Sequence, residues 1–136
     1  MNPVVLLVMR AGISVWGSRI LEVRGRTSGT PRRTPVNLLE VEGAQYLVSP
    51  RGDTQWVRNL RADQGRVSLL LGRGRDERVA EEIADRDKSP ILRAYLRKWK
   101  MEVGVFFDGV TSDSSDEDVQ RIAPDHPVFR LSSGQI

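Results

Sequence analysis

The chain has 136 residues, 39% hydrophobic and 29% charged, the mixture of an ordinary soluble globular protein rather than a disordered or membrane-spanning one. Its 21 basic and 18 acidic residues leave a net charge of +3, too mild for a dedicated nucleic-acid binder. The absence of cysteine excludes a disulfide framework, a zinc-thiolate site and a cysteine nucleophile together. One domain over residues 1–136, with a single core and a cytoplasmic location, is the expectation.

The opening stretch MNPVVLLVMRAGISVW is apolar, but Arg10 interrupts it and no basic segment precedes it, so a signal peptide is not the natural reading. Residues 1–16 are instead expected to pack on the body of the protein, with an apolar face that could also touch a membrane surface peripherally. SRILEVR, Ser18 to Arg24, alternates Leu21 and Val23 with Ile20, Glu22 and Arg24, which predicts a strand. TPVNLLEV (Thr34 to Val41) and QYLVS (Gln45 to Ser49) flank Glu42-Gly43-Ala44, a connection suited to antiparallel neighbours.

A helix is expected next. Asp53 or Thr54 can accept from its first amides, Trp56, Val57 and Leu60 share one side, and Gly65 ends it. RVSLLLG (Arg66 to Gly72) predicts a strand and GRGRD (Gly72 to Asp76) a turn, and Glu77 to Ala84 reads as a strand or the entry to a helix, with its first half favouring strand. Ser89-Pro90 opens an amphipathic helix carrying Leu92, Tyr95, Leu96 and Trp99. The acidic segment Thr111 to Asp118 is expected to run as a solvated loop into a helix starting near Val119, and His126 to Leu131 reads as a last strand. The first strands leave no room for crossover helices, so the expected fold is antiparallel and mainly β with flanking helices, a compact barrel or an α+β sandwich.

The candidate site begins with RGRTSGTPRRTPV, Arg24 to Val36, where Arg24, Arg26, Arg32 and Arg33 surround a Ser/Thr/Gly loop with no acidic residue. Guanidinium forks match phosphate and carboxylate oxygens, Gly25 and Gly29 allow close approach, and Thr27, Ser28 and Thr30 add hydroxyls. An anionic, phosphorylated ligand suits this chemistry; the alternative is a solvated basic turn. Arg51 and Gly52, just before a helix N-terminus, form a second cationic loop across the same pair of strands. Trp56 either covers a planar ring or anchors the helix in the core, while Asn59 and Arg61 read as helix-surface or helix-strand contacts. The lone His126 reads as a surface or capping residue, Tyr95 as core, and Phe106 and Phe107 as apolar walls. Nothing resembles a metal site or a nucleophilic triad.

Together, GRTSGTPRRTPV and YLVSPRGDTQWVRNLRA resemble the deazaflavin (F420)-dependent nitroreductase family of the flavin/deazaflavin oxidoreductases. The shared elements are the Gly25 to Arg32 loop, Ser49 with Arg51-Gly52, and Trp56, Asn59, Leu60 and Ala62; they cover residues 18 to 70 well and the rest thinly, apart from the His126 to Leu131 strand. The resemblance implies an FMN-binding-like split β-barrel and coenzyme F420 as cofactor, with FMN as the alternative. It implies hydride transfer from the reduced deazaflavin to an electron-poor small-molecule acceptor, a quinone, enone or nitroaromatic compound. By the same resemblance Arg26, Thr27, Ser28, Gly29, Thr30, Pro31 and Arg32 would meet the phosphate and acidic tail, with Arg33 as a further charge. Val36, Asn37 and Leu38, with Leu47, Val48 and Ser49, would line the ring edges, and Ser49 would hydrogen-bond the coenzyme or the developing anion. Thr27 and Asn37 depart from lysine and aromatic residues in some members. A non-catalytic F420-binding protein is the other reading; an RNA or DNA binder lacks aromatic residues beside the arginines to stack bases.

Overall fold

The computed structural model describes residues 18–103 and 106–132. The strands are β1 (Ser18–Arg24), β2 (Pro31–Val41), β3 (Ala44–Val48), β4 (Arg66–Leu71), β5 (Gly74–Glu82) and β6 (Val128–Leu131). The helices are α1 (Gln55–Ala62), α2 (Ser89–Val103) and α3 (Asp116–Ile122). The strands close into a barrel in the order β1-β2-β3-β6-β5-β4, and every pairing is antiparallel. Closure removes the exposed edges that a short open sheet would present.

Strand periodicity divides the core in two. Leu21, Val23, Leu38, Leu47, Val67, Leu69, Phe129 and Leu131 point inward, and Val57 and Leu60 of α1 pack onto the same cluster. Their neighbours Leu39, Val48 and Val128 point outward, where α2 and α3 cover them with Leu92, Tyr95, Leu96, Val119 and Ile122. Adjacent apolar residues such as Leu38-Leu39, Leu47-Val48 and Val128-Phe129 therefore mark strands buried on both faces.

Three boundaries differ from the sequence expectations. β2 begins at Pro31 rather than Thr34, because Arg24, Val23 and Glu22 pair with Pro31, Arg32 and Arg33. A polar stretch can extend a strand where its outer face meets solvent, so Arg32 and Arg33 lie on the strand and the connecting loop shrinks to residues 25–30. β5 resumes at Gly74, leaving a tight turn at Gly72-Arg73, and its strand continues through Glu82. α3 starts at Asp116 because the Ser115 hydroxyl accepts from the Asp118 amide at 3.1 Å and three acids suit its first turn.

Gly65 follows α1 with φ +83°, and its carbonyl accepts from the Ala80 amide at 2.7 Å, tying the helix exit to β5. Among the described residues no helix is long and apolar enough to cross a membrane. The N-terminal segment 1–16, with its expected packing and membrane contact, lies outside the described residues.

Candidate functional site

The β1–β2 turn is knitted by its own backbone: the Gly25 amide donates to Thr30 and the Gly29 amide to Gly25, each at 2.9 Å, with Gly29 at φ +75°. The Thr30 amide donates to the Ser28 hydroxyl at 3.1 Å. Arg26 is held from outside the turn: the side-chain oxygen of Asn59 on α1 accepts from the Arg26 amide at 3.1 Å and from its guanidinium at 2.7 Å.

The second loop leaves β3 at Ser49, whose amide donates to the Pro127 carbonyl at 2.9 Å and whose hydroxyl donates to the Gly52 carbonyl at 2.6 Å. The hydroxyl hydrogen is thus committed to shaping the loop. Gly52 takes φ +83°, and a Cβ there would lie 3.4 Å from the Asp125 carbonyl oxygen, so the loop rests on the chain segment before β6. The Arg51 guanidinium carbon lies 4.8 Å from the ring centre of Phe106.

Between the two loops lies a cleft of about 940 Å³, within the range of small-molecule sites. Arg26, Thr27, Ser28, Arg32 and Arg33 form one wall; Ser49, Pro50 and Arg51 border the other; Thr54, Gln55, Trp56 and Asn59 of the α1 end complete it. No carboxylate pairs with Arg26, Arg32 or Arg51 among the described residues. Thr54 sits at the N-cap of α1, but its hydroxyl caps no amide and is buried without a partner. The first turn of α1 contains no acidic residue. Its open amides, the positive end of its dipole and three uncompensated guanidiniums all favour a bound anion.

Arg33 differs from its neighbours. Its Nε donates to Glu22 at 2.9 Å, and Glu22 also accepts from Arg75 at 2.8 Å. The Arg75 hydrogen bond, with help from Arg33, outweighs desolvation and holds the Glu22 carboxyl below the usual carboxylate range. Arg33 borders the cleft with much of its charge already compensated. Arg24 is exposed beside Gly29 and does not line the cleft.

Of the residues expected at the site, Gly29, Thr30, Pro31 and Gly52 support the loops without bordering the cleft. Val36 packs against the barrel interior, where Leu38 and Leu47 are buried; Val48 is buried under the helices instead. These three buried side chains belong to the core rather than to a cleft wall, because both faces of their strands are covered. Asn37 accepts from the Ser18 hydroxyl at 3.2 Å on the barrel. Trp56 packs tilted against Phe129, ring centres 5.9 Å apart, which anchors α1, and its remaining surface borders the cleft.

His126 is not a surface residue. It is 4% exposed, its ring stacks on Phe107 with centroids 4.1 Å apart, and its Nδ1 lies 3.4 Å from the Ser49 carbonyl oxygen. Burial pushes its pKa below the usual value, against the opposing pull of the Ser49 and Pro50 carbonyls and Asp125. Phe107 is likewise core, whereas Phe106 is partly exposed beside Arg51.

The closed antiparallel barrel with its cleft at two cationic loops is a split β-barrel, as its structural neighbours also are. A solved structure described as a domain-swapped dimer matches with a TM-score of 0.61 and 18% identity over 88% of this chain and 83% of its own. An F420-H2 dependent reductase, FDR-A, matches at 0.55 and 19%, over 85% of this chain and 94% of its own. A conserved hypothetical protein, Rv2991 from Mycobacterium tuberculosis, matches at 0.58 and 21%, over 97% and 80%. No curated protein matches the chain significantly in sequence. The profile of the F420H(2)-dependent quinone reductase family matches residues 9–109, and the chain belongs to that family. Membership makes it an oxidoreductase with coenzyme F420 as its cofactor.

The cleft fits such a group: the open α1 amides, the orphaned Thr54 hydroxyl and the unpaired guanidiniums suit phosphate and carboxylate oxygens, and the Trp56 ring offers an apolar wall. The sequence reads Asn59 as a helix-surface or helix-strand contact and a shared family position, without its hold on Arg26 of the β1–β2 turn. Its signal was a polar side chain between the buried positions Val57 and Leu60 on a short helix.

Proposed function

We propose that the chain reduces an electron-poor acceptor, a quinone in the first instance and enones or nitroaromatics by the same chemistry, using reduced coenzyme F420. What carries the reading is the set of uncompensated guanidiniums, Arg26 of the β1–β2 turn, Arg32 at the start of β2 and Arg51 of the loop after β3, gathered around one cleft. When bound, the reduced deazaflavin supplies a hydride from C5; the chain's own residues bind, orient and exclude water.

Arg26 and Arg32 would hold the phosphate and acidic tail, each through charge-assisted bonds worth roughly 1.5 to 3 kcal/mol when shielded from solvent. Thr54 and the first amides of α1 would offer further donors to the same oxygens. Trp56 would wall the ring from solvent while its other side stays packed on Phe129. Ser49 would act by fixing Gly52, and through it the carriage of Arg51, since its hydroxyl hydrogen is already given to that carbonyl.

The test is a fluorescence titration with coenzyme F420 and, separately, FMN, at low and moderate salt. Selective binding of the deazaflavin, weakened at least about tenfold by Arg26→Ala combined with Arg32→Ala, is the expected result. Equal affinity in that double variant would remove the site assignment, and a preference for FMN would remove the cofactor reading. Turnover of quinone, enone and nitroaromatic acceptors would then rank the acceptor classes.

A further inference from the structure

Arg26 sits in a turn whose internal hydrogen bonds join Gly25 to Thr30, Gly29 to Gly25 and Thr30 to Ser28. None of them uses the Arg26 amide. That amide and the Arg26 guanidinium converge on one oxygen, Oδ1 of Asn59, which is 33 residues away in sequence and only 5% exposed. Both partners are donors, so the carboxamide must present its oxygen to them, and both of that oxygen's lone pairs are used.

The neutrality of this acceptor matters. Arg33, on the same wall, is fixed by the carboxylate of Glu22, and Arg61 is fixed by Glu82 and Asp53. Such pairs orient a guanidinium but cancel its field at the cleft. Arg32 keeps its charge with no hydrogen-bond partner among the described residues, and Arg51 lies over the Phe106 ring with no hydrogen-bond partner among them. Arg26 alone among the cleft's arginines is both hydrogen-bonded in place and uncompensated.

We infer that Asn59 is a positioning residue for cofactor binding: it presets the Arg26 guanidinium and the turn beneath it while leaving the positive charge available to an anionic ligand. The inference rests on the proposed reading of the cleft as the coenzyme F420 site. Ordering a long side chain before the ligand arrives removes part of the binding cost, between about twofold and about tenfold in affinity for one side chain. A carboxamide achieves this where a carboxylate would neutralise the charge it positions.

Variants at Asn59 separate this role from a packing role, with coenzyme F420 as the probe and thermal unfolding as the control for folding. Asn59→Ala should weaken binding about tenfold and raise KM for the reduced coenzyme, with kcat on a soluble benzoquinone held within about twofold. In an Arg26→Ala background the same change should cost less than about threefold, since only the backbone contact remains. Asn59→Asp keeps the side-chain shape and the grip on Arg26 but compensates its charge, so binding should weaken and its salt dependence should flatten. Wild-type affinity in Asn59→Ala, equal losses in both backgrounds, or an unchanged salt dependence in Asn59→Asp would each overturn the inference. Failure of the unaltered chain to bind coenzyme F420 would instead overturn the reading of the cleft, and the inference with it.

Discussion

The imidazole of His126 is stacked on Phe107 and places its Nδ1 3.4 Å from the Ser49 carbonyl oxygen, directly behind the loop that carries Arg51 into the cleft. Because a carbonyl can only accept, the neutral ring is held with its hydrogen on Nδ1. Burial is the largest influence on this group and lowers its pKa from 6.5.

The sign of the resulting pH effect follows. The unfolded chain takes up the proton near the ordinary value, the folded chain only at lower pH, so the unfolded state binds more protons in between. His126 therefore contributes stability that is fully present above about pH 6.5 and is lost as pH falls through the depressed folded value. The thermal midpoint should fall on acidification below about pH 6.5. His126→Phe, which keeps a ring against Phe107, should flatten that part of the profile in a thermal scan series. An unflattened profile would place the sensitivity elsewhere.

Glu22 stands between Arg33 and Arg75 on the outer face of β1, with its side chain only 12% exposed. Glu22→Gln should release the Arg33 charge to the cleft. Affinity for coenzyme F420 is expected to rise about threefold at low salt, with the gain disappearing as salt is added. The stability cost should be about 1 to 3 kcal/mol, because the largely buried side chain loses charge-assisted hydrogen bonds to two guanidiniums. Titration at two ionic strengths together with urea unfolding checks both halves; weaker binding at low salt would mean Glu22 orients Arg33 for the ligand rather than withholding it.

Gly65 admits no side chain. A Cβ there would lie 2.2 Å from the Ala80 carbonyl oxygen, and the backbone at φ +83° already disfavours any L side chain. Gly65→Ala should destabilise by about 3 kcal/mol or more, because both the strain and the contact fall on backbone that cannot move without breaking the α1 to β5 link. The comparison variant is Gly43→Ala, where no atom lies within 4 Å of the added Cβ and only the φ of +81° opposes it; its cost, from denaturant melts, should be about 1 kcal/mol.

Local pattern made most of the barrel readable. Alternation in SRILEVR and the Gly43 turn identify β1 to β3 as antiparallel, and the spacing of Leu92, Tyr95, Leu96 and Trp99 identifies the face of α2 that packs on Leu39, Val48 and Val128. The start of β2 was hidden because Pro31 to Arg33 carry no apolar signal; their extended form comes from pairing with β1. The cleft was legible as chemistry, in the clustered arginines, but its internal division was not. Glu22 opposite Arg33 becomes visible only once the strand register is known, and the Asn59 contact with Arg26 depends on where α1 docks. His126 was misread for the same reason: its stacking partner is 19 positions earlier in the chain and its carbonyl partner 77.

The placement of β6 between β3 and β5 has a consequence for biosynthesis. The arginine turn, Arg51 and α1 all precede residue 66 in synthesis, yet the Ser49 loop is anchored on Pro127 and His126, which follow much later in the chain. A nascent chain thus carries the proposed cofactor-binding residues before the wall behind them is in place. The proposed cofactor cleft is therefore expected to take its final form only when β6 pairs with β3 and β5.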